Sequence, residues 1–116
     1  MTHRIACARG DMLRGVASIA GGLAGQDCTG ATAALLIHDE TDGTVDLASS
    51  ERARDRHLDT NGCTREATPT APEPCVAYAC EAGLPVVWCE TTGNGHGRQD
   101  ELAAPAFWNF FSSLDE

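Results

Sequence analysis

The chain has 116 residues, room for one hydrophobic core, and its 42% hydrophobic content is ordinary for a globular domain. Its formal net charge is −9 and all eight basic residues are arginine, so no basic stripe exists to neutralise nucleic-acid phosphates or an anionic membrane surface. The longest apolar runs, such as residues 31–37, fall far short of the about 20 residues that a membrane-spanning helix needs.

In chain order, residues 2–9 are expected to form a short helix ended by the Arg9-Gly10-Asp11 break. Residues 14–19 read as a small-residue strand closed by Gly21-Gly22. Residues 31–37 form a continuous apolar run whose length suits a strand covered on both faces. It ends at His38, where a polar loop over residues 38–45 begins. Residues 49–60, with Glu51, Arg52, Arg54, Asp55, Arg56 and Asp59, predict a solvent-facing helix capped by Ser49 or Ser50. His3 and His57 are expected to face solvent, and His38 to cap a strand end. Residues 61–76 hold Asn61-Gly62, Pro69, Pro72, Pro74, Cys63 and Cys75, and predict an irregular excursion pinned by disulfides.

Residues 85–89 are the third strand candidate, with proline tolerated at the first position. Residues 103–114 close the chain as a helix whose Phe107, Trp108, Phe110 and Phe111 are expected to pack on the sheet. Strands alternating with helices imply an α/β fold with three parallel strands. Three strands are too few to complete a doubly wound sheet, so the first is expected to pair with a strand upstream.

Six cysteines in so short a chain suit a disulfide framework in an oxidising compartment. Cys63, Cys75, Cys80 and Cys89 lack the paired C-x-x-C spacing of a zinc site, and their connectivity stays open. The first residues lack the apolar segment of a signal peptide, so the expectation is either a cytosolic protein or one that starts upstream; the cysteines favour the second.

Two features carry chemistry. Gly93-Asn94-Gly95-His96-Gly97 follows the third strand candidate, and its glycines allow the sharp turn that aims an imidazole back across strand ends. His38-Asp39-Glu40-Thr41-Asp42-Gly43-Thr44-Val45 follows the second strand and offers Asp42 as a matching acid. On these residues alone Asp42 is also explained as an Asp-Gly turn residue and His96 as a surface histidine. Ser18 lies in Ala17-Ser18-Ile19-Ala20-Gly21, without flanking glycines at −2 and +2, and reads as a strand residue. Ser49, Ser50, Ser112 and Ser113 read as cap or surface residues.

Taken together the chain resembles the secreted feruloyl esterases and polyhydroxybutyrate depolymerases of the α/β-hydrolase superfamily. Residues 1–25 look like the helix and strand that follow the nucleophile elbow, with the G-x-S-x-G elbow a few residues before Met1. The acid loop resembles the family pattern H-G-x-x-D-x-x-V, with Asp39 in place of its glycine. Residues 83–90 and the segment from His96 through Ala104-Pro105-Ala106-Phe107-Trp108-Asn109-Phe110-Phe111 are similar to the feruloyl-esterase form. The resemblance implies that residues 1–116 are the C-terminal part of one α/β-hydrolase catalytic domain. Asp42 and His96 are then two members of a Ser-Asp-His triad whose serine lies upstream. It further implies an extracellular enzyme needing no cofactor and no metal, with a feruloylated polysaccharide or a polyester oligomer as ester substrate. The segment as given is expected to be inactive without the N-terminal part of the same fold. A second reading is a GAF-like small-molecule-binding module, in which residues 33–50 form a β-hairpin about Asp42-Gly43.

Overall fold

A computed structural model describes residues 2–3, 14–21, 31–81, 84–97 and 99–114. Thr2 and His3 are helical, and the rest of the helix expected over residues 2–9 lies outside the described residues, as do Cys7 and Cys28. The described elements are β1 (Gly15–Ile19), β2 (Ala33–Asp39), α1 (Leu47–Thr60), β3 (Ala67–Pro69), β4 (Cys75–Tyr78), β5 (Val86–Thr91) and α2 (Asp100–Ser113).

The strands form one mixed sheet in the order β1-β2-β5-β4-β3. β1, β2 and β5 run parallel, with Ala17 beside Leu35 and Leu35 beside Val87. β4 pairs antiparallel with β5, and β3 with β4. Among the described residues the sheet therefore has two strands more than the alternation of strands and helices predicts. Both lie in or next to the segment expected to be irregular. They are too short to show alternation, and Pro69 is tolerated because β3 is an exposed strand at the end of the sheet. The Cys75–Cys89 disulfide joins directly opposed residues of β4 and β5, and Cys63–Cys80 ties the segment after α1 to the segment after β4. Each closes a loop of 17 residues or fewer, a constraint on the unfolded chain worth about 3 kcal/mol.

β2 extends through His38 and Asp39, two residues beyond the apolar run, and all seven of its residues are buried. Alternation divides it between two cores. Ala33, Leu35 and Ile37 pack with Ala103, Ala106 and Phe110 of α2, whereas Ala34 and Leu36 pack with Ala53 and Leu58 of α1 and with Val86 and Trp88 of β5. The result is a helix–sheet–helix sandwich in which each buried Leu, Ile or Val contributes about 1.5–3 kcal/mol. Arg54 of α1 stacks on the Trp88 ring, 4.7 Å from its centroid.

Both helices differ from expectation. α1 starts at Leu47, Asp46 precedes it without a side-chain cap, and Ser49 and Ser50 lie inside its first turn. It is not simply solvent-facing, because Ser50, Ala53, His57 and Leu58 make a buried stripe at helical spacing. His57 and His3 are therefore buried, not exposed. His3 Nδ1 lies 2.9 Å from His57 Nε2, and His3 Nε2 lies 2.7 Å from the Ser18 hydroxyl of β1.

In α2, Ala103, Ala106 and Phe110 take the inward stripe, with Phe107 half-buried. Trp108, at 74% exposure, and Phe111 do not join the core as expected. Four aromatics within five residues cover more of a helix's circumference than one sheet face can bury. Residues 33–50 form a strand, a loop and the start of a helix, so the hairpin required by a GAF-like reading is absent.

At its C-terminal end α1 is fastened by Asn61. Its buried amide donates to the carbonyls of Thr32 at 2.8 Å and Leu84 at 3.2 Å, the residues that lead into β2 and β5. This sets both parallel strands in register before they reach the opposite edge, where the candidate site lies.

Candidate active site

β2 and β5 are parallel neighbours, so the loops that follow them leave the same edge of the sheet. The Glu40 N–H donates to the Thr91 carbonyl at 2.9 Å and keeps the two chains together for one step beyond the pairing. The crevice outside the carboxyl ends of parallel strands is the usual place for a site in such sheets.

The first loop turns immediately. The Asp42 N–H donates to the Asp39 carbonyl, and Asp42 Oδ1 accepts the N–H groups of Thr44 at 2.8 Å and Val45 at 2.9 Å. This side-chain turn anchors one carboxylate oxygen to the backbone and leaves Oδ2 for a partner. His38 stands behind it: Nε2 donates to the Val45 carbonyl at 2.8 Å and lies 3.5 Å from Asp42 Oδ2.

The second loop reverses through Gly93 and Gly95, at φ of 85° and 61°, a region that only glycine enters without strain. His96 then comes back across the strand ends, and its Nδ1 lies 2.8 Å from Asp42 Oδ2. The Asp42 side chain is fully buried, while that of His96 is 43% exposed. Burial works to raise the Asp42 carboxyl, but hydrogen bonds from the Val45 N–H, the His96 ring and the Thr44 N–H outweigh it and hold the group at about 2. An ionised Asp42 fixes the His96 proton on Nδ1. Nε2 then presents a lone pair, and no residue among those described hydrogen-bonds to it. The pair can hold and deliver a proton at Nε2.

Asp39, the residue that departs from the resemblance, is also fully buried. Burial again works to raise its carboxyl, and hydrogen bonds from the Thr41 hydroxyl, the Thr91 hydroxyl, the Thr41 N–H and the Asn94 N–H hold it well below the usual carboxylate range. Thr91 also lies 2.8 Å from Gln99 Oε1, and the Asn94 side-chain amide donates to the same atom at 3.2 Å. Beside this loop a cleft of about 420 Å³ opens, lined by Thr91, Asn94, Gly97, Gln99 and Asp100, with Glu73 on another wall.

Sequence reasoning named Asp42 and His96, which meet. It did not foresee the parts of Thr91, Asn94 and Gln99. For Thr91 and Gln99 no motif signals the role; for Asn94 the signal was its place between two glycines. Ser18 is in β1, as read, and is buried against His3, so the row Ser18-His3-His57 has a serine next to an imidazole but no open face. Burial lowers His3 to about 3, with the neighbouring His57 adding to the effect, and burial lowers His57 to about 4. Among the described residues no serine hydrogen-bonds to His96, and no three His, Cys, Asp or Glu residues are grouped to hold a metal ion.

No family model matches the chain. Its sequence is similar to that of feruloyl esterase D from Neurospora crassa, 31% identical over 131 aligned positions that take in 99% of this chain and 44% of that protein. The chain thus spans less than half the length of the curated relative it matches. The similarity is to an esterase.

Proposed function

We propose that this polypeptide carries the acid and the base of a serine carboxylic ester hydrolase of the feruloyl esterase and polyhydroxybutyrate depolymerase type, in an α/β-hydrolase fold. The observation that carries the reading is the Asp42–His96 pair: a buried, ionised carboxylate holding Nδ1 of a half-exposed imidazole at 2.8 Å. The similarity to a feruloyl esterase supports the same reaction class.

In this mechanism Nε2 of His96 removes the proton of a serine hydroxyl as the oxygen attacks the ester carbonyl. It then returns that proton to the departing alcohol. Water repeats the cycle on the acyl-enzyme. Asp42 keeps the useful tautomer and stabilises the imidazolium formed in each step. The nucleophile is assigned to a G-x-S-x-G elbow outside these residues, because Ser18 is buried against His3 and the other described serines belong to α1 and α2. The two backbone N–H groups that bind the oxyanion are assigned to the same missing part, so the 116-residue segment has no turnover of its own.

The proposed substrate is a feruloyl ester of plant cell-wall xylan, in preference to a polyester, following the name of the relative. Disulfides Cys63–Cys80 and Cys75–Cys89 support an extracellular location. The test is to translate the DNA upstream of the Met1 codon, express the longest in-frame product, and assay it on methyl ferulate. An in-frame elbow and hydrolysis that is lost in His96→Ala are expected. Hydrolysis unchanged in His96→Ala, or none by an elbow-containing product, overturns the proposal.

A further inference from the structure

The loop that carries His96 has almost nothing to rest on. A side chain added at Gly93 or Gly95 would meet no atom within 4 Å, and Asn94 and His96 are exposed. Apolar packing therefore cannot hold this segment, and its position depends on hydrogen bonds. Three of them lead to one side chain, directly or through one intermediate.

Asp39 Oδ1 accepts from the Thr41 N–H at 2.8 Å and from the Thr41 hydroxyl, both in the acid loop. Asp39 Oδ2 accepts from the Thr91 hydroxyl at 2.7 Å and the Asn94 N–H at 2.8 Å, at the start of the histidine loop. The Thr41 hydroxyl, held by Oδ1, in turn accepts from the Gly95 N–H at 3.2 Å. Each carboxylate oxygen thus serves a different loop, and a buried anion with four donors is among the stronger hydrogen-bonding arrangements available to a protein. A glycine at this position, as in the pattern the acid loop resembles, has no side chain with which to do this.

We infer that Asp39 is a positioning residue: its carboxylate clamps the His96 loop to the Asp42 loop and so sets the Asp42–His96 contact. The inference rests on the reading of Asp42 and His96 as an acid–base pair. Asp39 hydrogen-bonds to neither of their side chains and acts through the Thr41 and Thr91 hydroxyls and the N–H groups of Thr41, Asn94 and Gly95.

The experiment is nuclear magnetic resonance on the 116-residue chain, comparing wild type with Asp39→Gly, Asp39→Asn and Thr41→Val. Two things are read: amide exchange at Asn94 and Gly95, and the Nδ1-bound proton of His96 in a ¹⁵N-histidine-labelled sample. In Asp39→Gly, exchange at Asn94 and Gly95 should accelerate about tenfold or more, and the His96 Nδ1 proton signal should be lost. Exchange at Leu35 and Val87 in the sheet should stay unchanged. Asp39→Asn, which keeps the shape and removes the charge, should change the same signals in the same direction by less. Thr41→Val should accelerate Gly95 in a folded background even where loss of Asp39 unfolds the chain. Wild-type exchange at both amides in folded Asp39→Gly and in Thr41→Val overturns the clamp, as does unchanged exchange in Thr41→Val where Asp39→Gly does not fold. None of these signals needs ester turnover, so a failure of the esterase reading registers separately, in the methyl ferulate assay.

Discussion

Asp42 shares its carboxylate unequally: Oδ1 is taken by two backbone N–H groups of its own turn, and Oδ2 meets Nδ1 of His96, 54 residues further along the chain. The first half of this arrangement is local and survives without the second. Asp42→Asn should therefore leave the fold intact while presenting an amide where an acceptor is needed. Under the serine-esterase proposal, kcat of an elbow-containing product should fall by about 10⁴ with KM little changed, as loss of the correct histidine tautomer does in serine hydrolases generally. Steady-state kinetics checks this.

Acid should unfold the chain in two stages with different causes. His3 and His57 are held neutral, at about 3 and about 4, by burial. An unfolded histidine binds its proton near 6.5, so between there and 4 the unfolded state takes up more protons. The stability from these groups is complete above about 6.5 and is lost as pH falls, by up to about 1.4 kcal/mol per pH unit for each histidine. Thermal melts from pH 7 to pH 4 should show this slope, and His57→Asn should reduce it.

The carboxylates act lower. Asp42 is depressed to about 2, and Asp39 is depressed as well, so their stabilisation is present above the ordinary carboxylate range and disappears as pH falls through it towards about 2. Asp39→Asn should flatten the melting profile below pH 4 and leave the histidine slope above it. A shared loss of both slopes would contradict the assignment.

Trp108 and Phe110 are two residues apart and should respond very unequally to truncation. Phe110→Ala opens a cavity in the core against β2 and should cost about 3–5 kcal/mol in urea denaturation. Trp108→Ala should change stability by less than about 0.5 kcal/mol. Iodide should quench the fluorescence of Trp108 and spare Trp88, which is buried.

Cys63–Cys80 and Cys75–Cys89, the bridges among the described residues, should each contribute about 3 kcal/mol by closing loops in the unfolded chain. Urea midpoints of Cys63→Ser/Cys80→Ser and Cys75→Ser/Cys89→Ser variants measure each separately. A midpoint unmoved by either pair of substitutions would sink the idea.

β2 was legible because an unbroken apolar run of strand length states its own burial. The split of that run into two cores also follows from alternation, since Leu35 and Leu36 must face opposite helices. β3 and β4 were not legible: three residues ending in Pro69 and four that follow Pro74 give no period, and their existence depends on β5 lying alongside and on Cys75 meeting Cys89. His57 could have been found, since positions 50, 53, 57 and 58 of α1 form one stripe and Ala53 and Leu58 are apolar. Charge density in that helix masked the pattern. Asp42 and His96 were visible only through the order of motifs along the chain, because a turn aspartate and a loop histidine have many ordinary explanations. Asp39 was read as a departure, and its four donors are distributed over residues 41, 91 and 94, which no local pattern brings together.

The two ends of the sheet are unlike in a way that gives the fold a direction. At one end β3 is three exposed residues long and finishes in Pro69, which has no N–H to offer to a newcomer. At the other, β1 is a five-residue strand, Gly-Val-Ala-Ser-Ile, with neither proline nor charge to discourage a neighbour. Growth of this sheet is thus one-sided. Among the described residues no strand pairs with the outer side of β1, so a further strand, whether from the same polypeptide or from another molecule, has a template there and an obstructed one at β3.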